Sequence, residues 1–353
     1  MSDAGAMAMP LVAGDRSRSA RRLSGLLVVA LICASVASLT SGASDTSLGQ
    51  VMRDLLAGQG IGARDRLVLV DIRLPRLVLG GLIGAALAVS GALLQGLFRN
   101  PLADPGIVGV SAGAGLGAVT AIVLGGLLPF ATGSWLVPIA AFAGAWASTM
   151  MLYRVATRQG RTSVATMLLA GIALAAMTSA LTGILVYFAD DTQLRDFTFW
   201  TMGSLAGASW GKLTIAAPLL LVTVCAAPLL ALGLNGLALG EAAAGHIGIA
   251  VQRVKAMAIL TVALATGTSV ALSGGIGFVG IIVPHLLRLI SGPDHRHLLL
   301  NAALLGATVL ILADMVSRAV IAPAELPIGI VTAVTGGPFF LWVLLRNRAL
   351  VDL

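Results

Sequence analysis

Two serines and one histidine have the residue types of a nucleophile and its base. Ser90 and Ser273 each precede a glycine, and His285 follows a proline in FVGIIVPHLLRLISGPDHRH. Their placement argues against a meeting, because Ser273 falls near the outer end of one apolar segment and His285 toward the inner end of the next. Asp294, His295 and His297 are metal-ligating types, but the Gly-Pro turn that carries them reads as an exposed, solvated inner loop. Asp314 and Arg318 stand four apart and can pair across one helical turn. GASWGKLT brings Lys212 near two glycines, yet Leu213 stands where a phosphate loop needs a magnesium-holding Ser or Thr. Cys33 and Cys225 lack the partner spacing of a disulfide or a metal site. The inventory assigns no catalytic residue, no metal ligand, no permanently bound cofactor and no ATP site within the chain.

What must position these groups is overwhelmingly apolar. Of 353 residues, 58% are hydrophobic and 10% charged, with a mean hydropathy of +0.99. That is too little polar surface to clothe a soluble globule of this size. About 20 apolar residues cross about 30 Å of hydrocarbon, and ten segments qualify: Leu23 to Leu39, Leu77 to Phe98, Ile107 to Leu128, Leu136 to Tyr153, Val164 to Ala189, Leu213 to Leu234, Val254 to Leu272, Ile276 to Ile290, Leu298 to Val320, and Ile328 to Leu345. The eighth is short, so either the helix is short or SGGIGFVG is a break inside the protein, where irregular backbone is tolerated. The expected fold is an all-α polytopic membrane protein with ten transmembrane helices, a tail at 1–22 and a membrane domain at 23–353.

An even number of crossings puts both termini on one side. With both termini cytoplasmic, 14 of the 22 Lys and Arg lie inside, and 5 of the other 8 lie in the long Thr40 to Arg76 segment. The net charge of +7 therefore reads as topology bias. No basic face interleaved with aromatics suggests nucleic acid. The first segment also has the order of a cleavable signal, whose removal would leave nine crossings and reverse the bias. Gly109, Gly113 and Gly117 recur every four residues, as do Gly80 and Gly84, which lets helices approach closely. The echo of LAVSGALLQG in SVALSGGIGFVG suggests two pseudo-symmetric halves. An ion-coupled transporter needs ionisable groups at mid-membrane, and here the segment centres are almost bare.

Three motifs together carry a resemblance. RLPRLVLGGLIGAALAVSGALLQGLFRNPLADPGIVGVSAGAG from Arg73, GGIGFVGIIVPHLLRLISGPDHR and AELPIGIVTAVTGGPFF resemble the FecCD-type permeases, membrane subunits of type II ABC importers for cobalamin, ferric siderophores and haem. The resemblance implies a homodimer around one pathway in a bacterial inner membrane. It also implies two ATPase subunits that bind the ATP, and a periplasmic binding protein. It places cytoplasmic coupling helices at 235–253, where LALGEAAAGHIGIAVQRV puts Glu241, Ala242, Gly245, His246 and Gly248 at the ATPase contact, with Arg288, Asp294 and Arg296 bordering it. Outside, Arg73, Arg76 and Arg318 match arginines that grip acidic residues of the binding protein, although helix-end anchors would look alike.

QLRDFTFWTMGSLAGASW, at the outer mouth, resembles the haem-importer branch most. Haem has two carboxylates and a broad apolar disc, which Arg195, Phe199, Trp200 and Met202, with Phe197 beside them, would suit. Aromatics at that depth also serve as interfacial anchors, and Arg195 could instead pair with Asp191 or Asp196. His246, His285, His295 and His297 all fall toward the cytoplasmic side, so none is expected to ligate haem iron at entry.

Overall fold

The computed structural model describes residues 16–41, 62–127 and 133–346, with isolated positions between 49 and 58. In chain order the helices are α1 (Ser17–Thr40), α2 (Ala63–Phe98), α3 (Val110–Leu124), α4 (Leu136–Ala156), α5 (Val164–Phe188), α6 (Asp191–Met202), α7 (Trp210–Leu237), α8 (Glu241–His246), α9 (Val251–Ser273), α10 (Val279–Ser291), α11 (His295–Ala319) and α12 (Ile328–Arg346). A two-residue hairpin, β1 (Thr157–Arg158) and β2 (Arg161–Thr162), joins α4 to α5. Among the described residues eight helices are long and apolar enough to cross a membrane, and α10 and α12 are shorter apolar helices. The ten expected segments fall on these ten helices.

Helix α2 begins at Ala63, well before the expected Leu77, because Leu67–Arg73 continue it as a π-helical stretch that carries Arg73 inward. Likewise α1 starts inside the expected tail, at Ser17. Residues 1–15 of that tail lie outside the described residues.

Glycine faces set the core. Helix α2 packs most extensively on α11, and α3 on α4. At Gly84 a side chain would collide with the backbone of Gly306 in α11, and at Gly91 with that of Gly280 in α10. Such contacts bring helix axes close enough for dispersion to hold them in lipid, where apolar burial offers no driving force between helices. Gly113 and Gly117 do the same for α3 against α4. Gly109 also faces α4, where a side chain would meet Leu152, and at φ +74° it forms the left-handed turn that opens α3.

The break before α10 is real. Residues Gly274–Gly277 are non-helical and α10 has 13 residues. Within the break Gly275 N–H donates to the Trp200 carbonyl at 3.3 Å, and around it Ser204 N–H donates to the Ser273 carbonyl at 2.7 Å and Ile328 N–H to that of Gly203 at 3.1 Å, all inside the protein. The end of α6, the α9–α10 break and the start of α12 thus meet at one junction.

Candidate functional site

On the face that carries the start of α1, the two-helix turn at α7–α9 presents α8. Ala242, Gly245, His246 and Gly248 are exposed, and around Gly245 and Gly248 there is open space. Ile247 beside them is also exposed. A short helix with small residues outward and a protruding aliphatic suits seating in a groove. Glu241, at its first position, turns back to the ammonium of Lys255 at 2.6 Å.

The GPDHRH head lies beside this helix but is built differently from a solvated turn. His295 is buried, its ring against Gly96 of α2. Its backbone N–H donates to Oδ1 of Asn235 at 3.0 Å, near the end of α7. Asn235 in turn donates to Asp294 at 2.7 Å. The reason is capping: Asp294 accepts from the N–H of Arg296 and starts α11, which turns His295 inward. The Arg296 guanidinium, 2.6 Å away, holds the Asp294 carboxyl well below the usual carboxylate range, aided by Arg296 N–H and Asn235. Arg296 itself is exposed, whereas Arg288 is half-buried and faces the His295 ring at 3.3 Å. A cavity of about 470 Å³ opens between Gln95, Arg99, Asn235, Arg288 and His295. Arg16 at the head of α1 lies against Gly292, which sets this turn and the N-terminal region on one face.

On the opposite face the three arginines of the motif are buried or half-buried and engaged within the chain. Arg76 binds Asp314 of α11 at 2.8 Å and Glu325 at 2.8 Å. Arg318 donates to the same Asp314 at 3.1 Å and to the Ser41 carbonyl at 2.9 Å. Arg73 donates to the Leu39 carbonyl at 2.6 Å. They tie α1, α2, α11 and the α11–α12 loop together. Two oxygens of one buried carboxylate answer two guanidinium groups, as a low-dielectric site requires.

Helix α6 opens on a capping box, Asp190 with Gln193. Phe197 and Trp200 stack at 6.3 Å with rings 10° apart. Phe199 and Trp200 line a cavity of about 400 Å³ whose charged groups are Asp196 and Lys212. Arg195, expected there, is exposed and is not among the residues that line it. Met202 lies at the α6–α12 junction, its carbonyl against Gly329. Lys212, which the sequence shows only within an incomplete phosphate-loop pattern, shares this cavity with Phe199 and Trp200 of α6, so the aromatic run is the sequence signal that points to it.

A helical bundle with paired buried charges, one broken helix and an exposed small-residue helix on one face defines a multi-pass membrane permease. The model of the FecCD transport family matches residues 27–346, and the chain belongs to that family. The chain is 42% identical over 330 residues to the hemin transport system permease protein HmuU of Yersinia pestis, covering 93% of this chain and 96% of that protein. It is 44% identical over 293 residues to the vitamin B12 import system permease protein BtuC of Salmonella typhi, covering 82% and 87%. Among solved structures, an inward-facing conformation assigned to a metal-chelate type ABC transporter superposes with a TM-score of 0.81 at 31% identity, over 92% of this chain and 99% of that one. The chain is accordingly a permease subunit of an ABC importer.

Proposed function

We propose that this chain moves hemin from periplasm to cytoplasm by alternating access, as a homodimer in a bacterial inner membrane. Two partner ATPase subunits supply the free energy, and a periplasmic binding protein delivers the cargo. The observation that carries the reading is α8 and the turn after it, where exposed Ala242 stands with Gly245 and Gly248, and open space at both glycines leaves room for a groove on another protein. ATP binding at the partner would displace α8, and the permease halves would rock around the pathway.

The alternative class, an ion-coupled transporter, needs an unpaired ionisable group at depth. Among the described residues the buried Arg76, Lys255 and Asp314 each have a partner of opposite charge, whereas His285 in α10 is buried with neither ring nitrogen hydrogen-bonded, so ionophore sensitivity of uptake is what separates the two classes. Support for hemin comes from the likeness to a hemin permease over nearly the whole chain and from the stacked rings of α6 beside a lysine-lined cavity. A carboxylate-bearing disc would find apolar faces and a cation there. Cobalamin is the second reading, favoured by the 44% identity to a vitamin B12 permease. A binding protein that brings carboxylates to the outer face would compete with Glu325, the exposed member of the network, for Arg76. Uptake of hemin, a ferric siderophore and cobalamin into proteoliposomes holding the whole complex separates these readings. Hemin accumulation with neither of the others is expected, and cobalamin accumulation alone would replace the proposal.

A further inference from the structure

We infer that Lys255 is a positioning residue that makes α8 and the β1–β2 hairpin move as one body. The inference rests on α8 being the docking helix for the ATPase, and it assigns the residue through which docking acts on the rest of the chain.

Lys255 lies near the start of α9 with its side chain 2% exposed. Its ammonium donates to Oε1 of Glu241 at 2.6 Å and to the carbonyl of Thr162 at 2.7 Å. Three residues earlier, Oε1 of Gln252 accepts from the N–H of Thr162 at 2.9 Å. Both backbone groups of Thr162 therefore end on α9. Thr162 in turn closes the hairpin, paired with Thr157 and sharing a hydroxyl hydrogen bond with it at 2.9 Å. Glu241 is the acidic group of α8, whose other residues apart from His246 are small.

Space filling does not explain a lysine here. A methionine would occupy a similar volume without the desolvation cost of a buried ammonium. What only the ammonium supplies is two charge-assisted, directional bonds to segments that come from different parts of the chain. The hairpin leads, through Ser163, straight into the 25 residues of α5 and then into α6. A push on α8 is thus delivered through one buried charge to the helix that ends at the outer mouth.

The test is a distance measured between spin labels at Leu239→Cys, just before α8, and Arg158→Cys, on the hairpin. Cys33→Ser and Cys225→Ser remove the native thiols. The complex with its ATPase is held in nanodiscs, either without nucleotide or trapped with ATP. With Lys255 present, one narrow distance within a protomer is expected, unchanged between the two states, the distances between protomers of the homodimer being identified from the two single-label chains. Lys255→Met should give a distribution about two-fold broader that shifts on ATP trapping, as a population of detached hairpins appears. Glu241→Gln, which keeps the side-chain shape at a half-exposed position, should broaden it in the same direction and covers the case in which Lys255→Met does not fold. Wild-type distances and widths in both variants, or a wild-type distance that itself changes on ATP trapping, would overturn the inference. Docking at α8 is read separately, by co-purification of the ATPase with Gly245→Trp. If the ATPase stays bound, the docking reading fails whatever the distances show.

Discussion

Arg76 and Asp314, separated by 238 positions in the chain, form a buried ion pair at 2.8 Å in which the side chains are only 8% and 4% exposed. The pair joins the central helix α2 to α11, and Arg318 shares the same carboxylate from one turn away. Replacing Asp314 by Ala would leave two guanidinium groups short of their counter-charge.

The expected cost of Asp314→Ala is about 3–5 kcal/mol, the range for removing one partner of a buried pair. Thermal unfolding in detergent reads it as a large drop in Tm. Glu325→Gln should cost far less, since that carboxylate is 39% exposed and water replaces much of what it offers.

Gly91→Ala should fold poorly, because the added methyl meets the backbone carbonyl of Gly280, which cannot rotate aside. An overpacking cost of about 1–3 kcal/mol or more is expected, seen as lost yield and lowered Tm. Gly183→Ala in α5 is the control. Open space surrounds it, and alanine should leave stability unchanged or raise it by about 0.5–1 kcal/mol.

Acid should weaken the start of α11. Arg296 depresses the Asp294 carboxyl, so the folded state gains from the ionised form above the unfolded pKa of about 3.9. That gain is lost as pH falls from there through the lower folded value. Tm measured against pH should fall less steeply below about pH 4 in Asp294→Asn than in the wild type, while asparagine keeps the cap at neutral pH.

Gly245→Trp should leave Tm near the wild type, because the position is exposed and a Cβ added there meets nothing within 4 Å. It should abolish co-purification of the ATPase if α8 fills a groove on it. Retained association would remove α8 from the docking role, and retained ATP-driven uptake would remove it from coupling as well.

Much of the bundle was legible because hydrocarbon demands long apolar segments, and Leu77 to Phe98 or Leu298 to Val320 leave little choice of element. The SGGIGFVG break was legible too, since glycines cluster where backbone must leave the helix. The partners of charges were not. Nothing near Arg76 in the sequence names Asp314 or Glu325, and nothing near Lys255 names Thr162, because packing of distant segments creates these pairs. His295 misled for a local reason: Gly-Pro-Asp reads as a solvated turn, while the cap it forms rotates the next side chain inward. Arg195 stands one helical turn before Phe199, yet the charged groups beside that ring in the cavity are Asp196 and Lys212, and the second of these comes from another helix.

The central claim is that this permease depends on a partner ATPase for uphill movement. Purified chain in proteoliposomes, with hemin and a binding protein outside and ATP inside, is measured with and without the ATPase. Accumulation of hemin against its gradient only when both the ATPase and hydrolysable ATP are present is the expected result. Accumulation by the chain without the ATPase, sensitive to ionophores, would contradict the account.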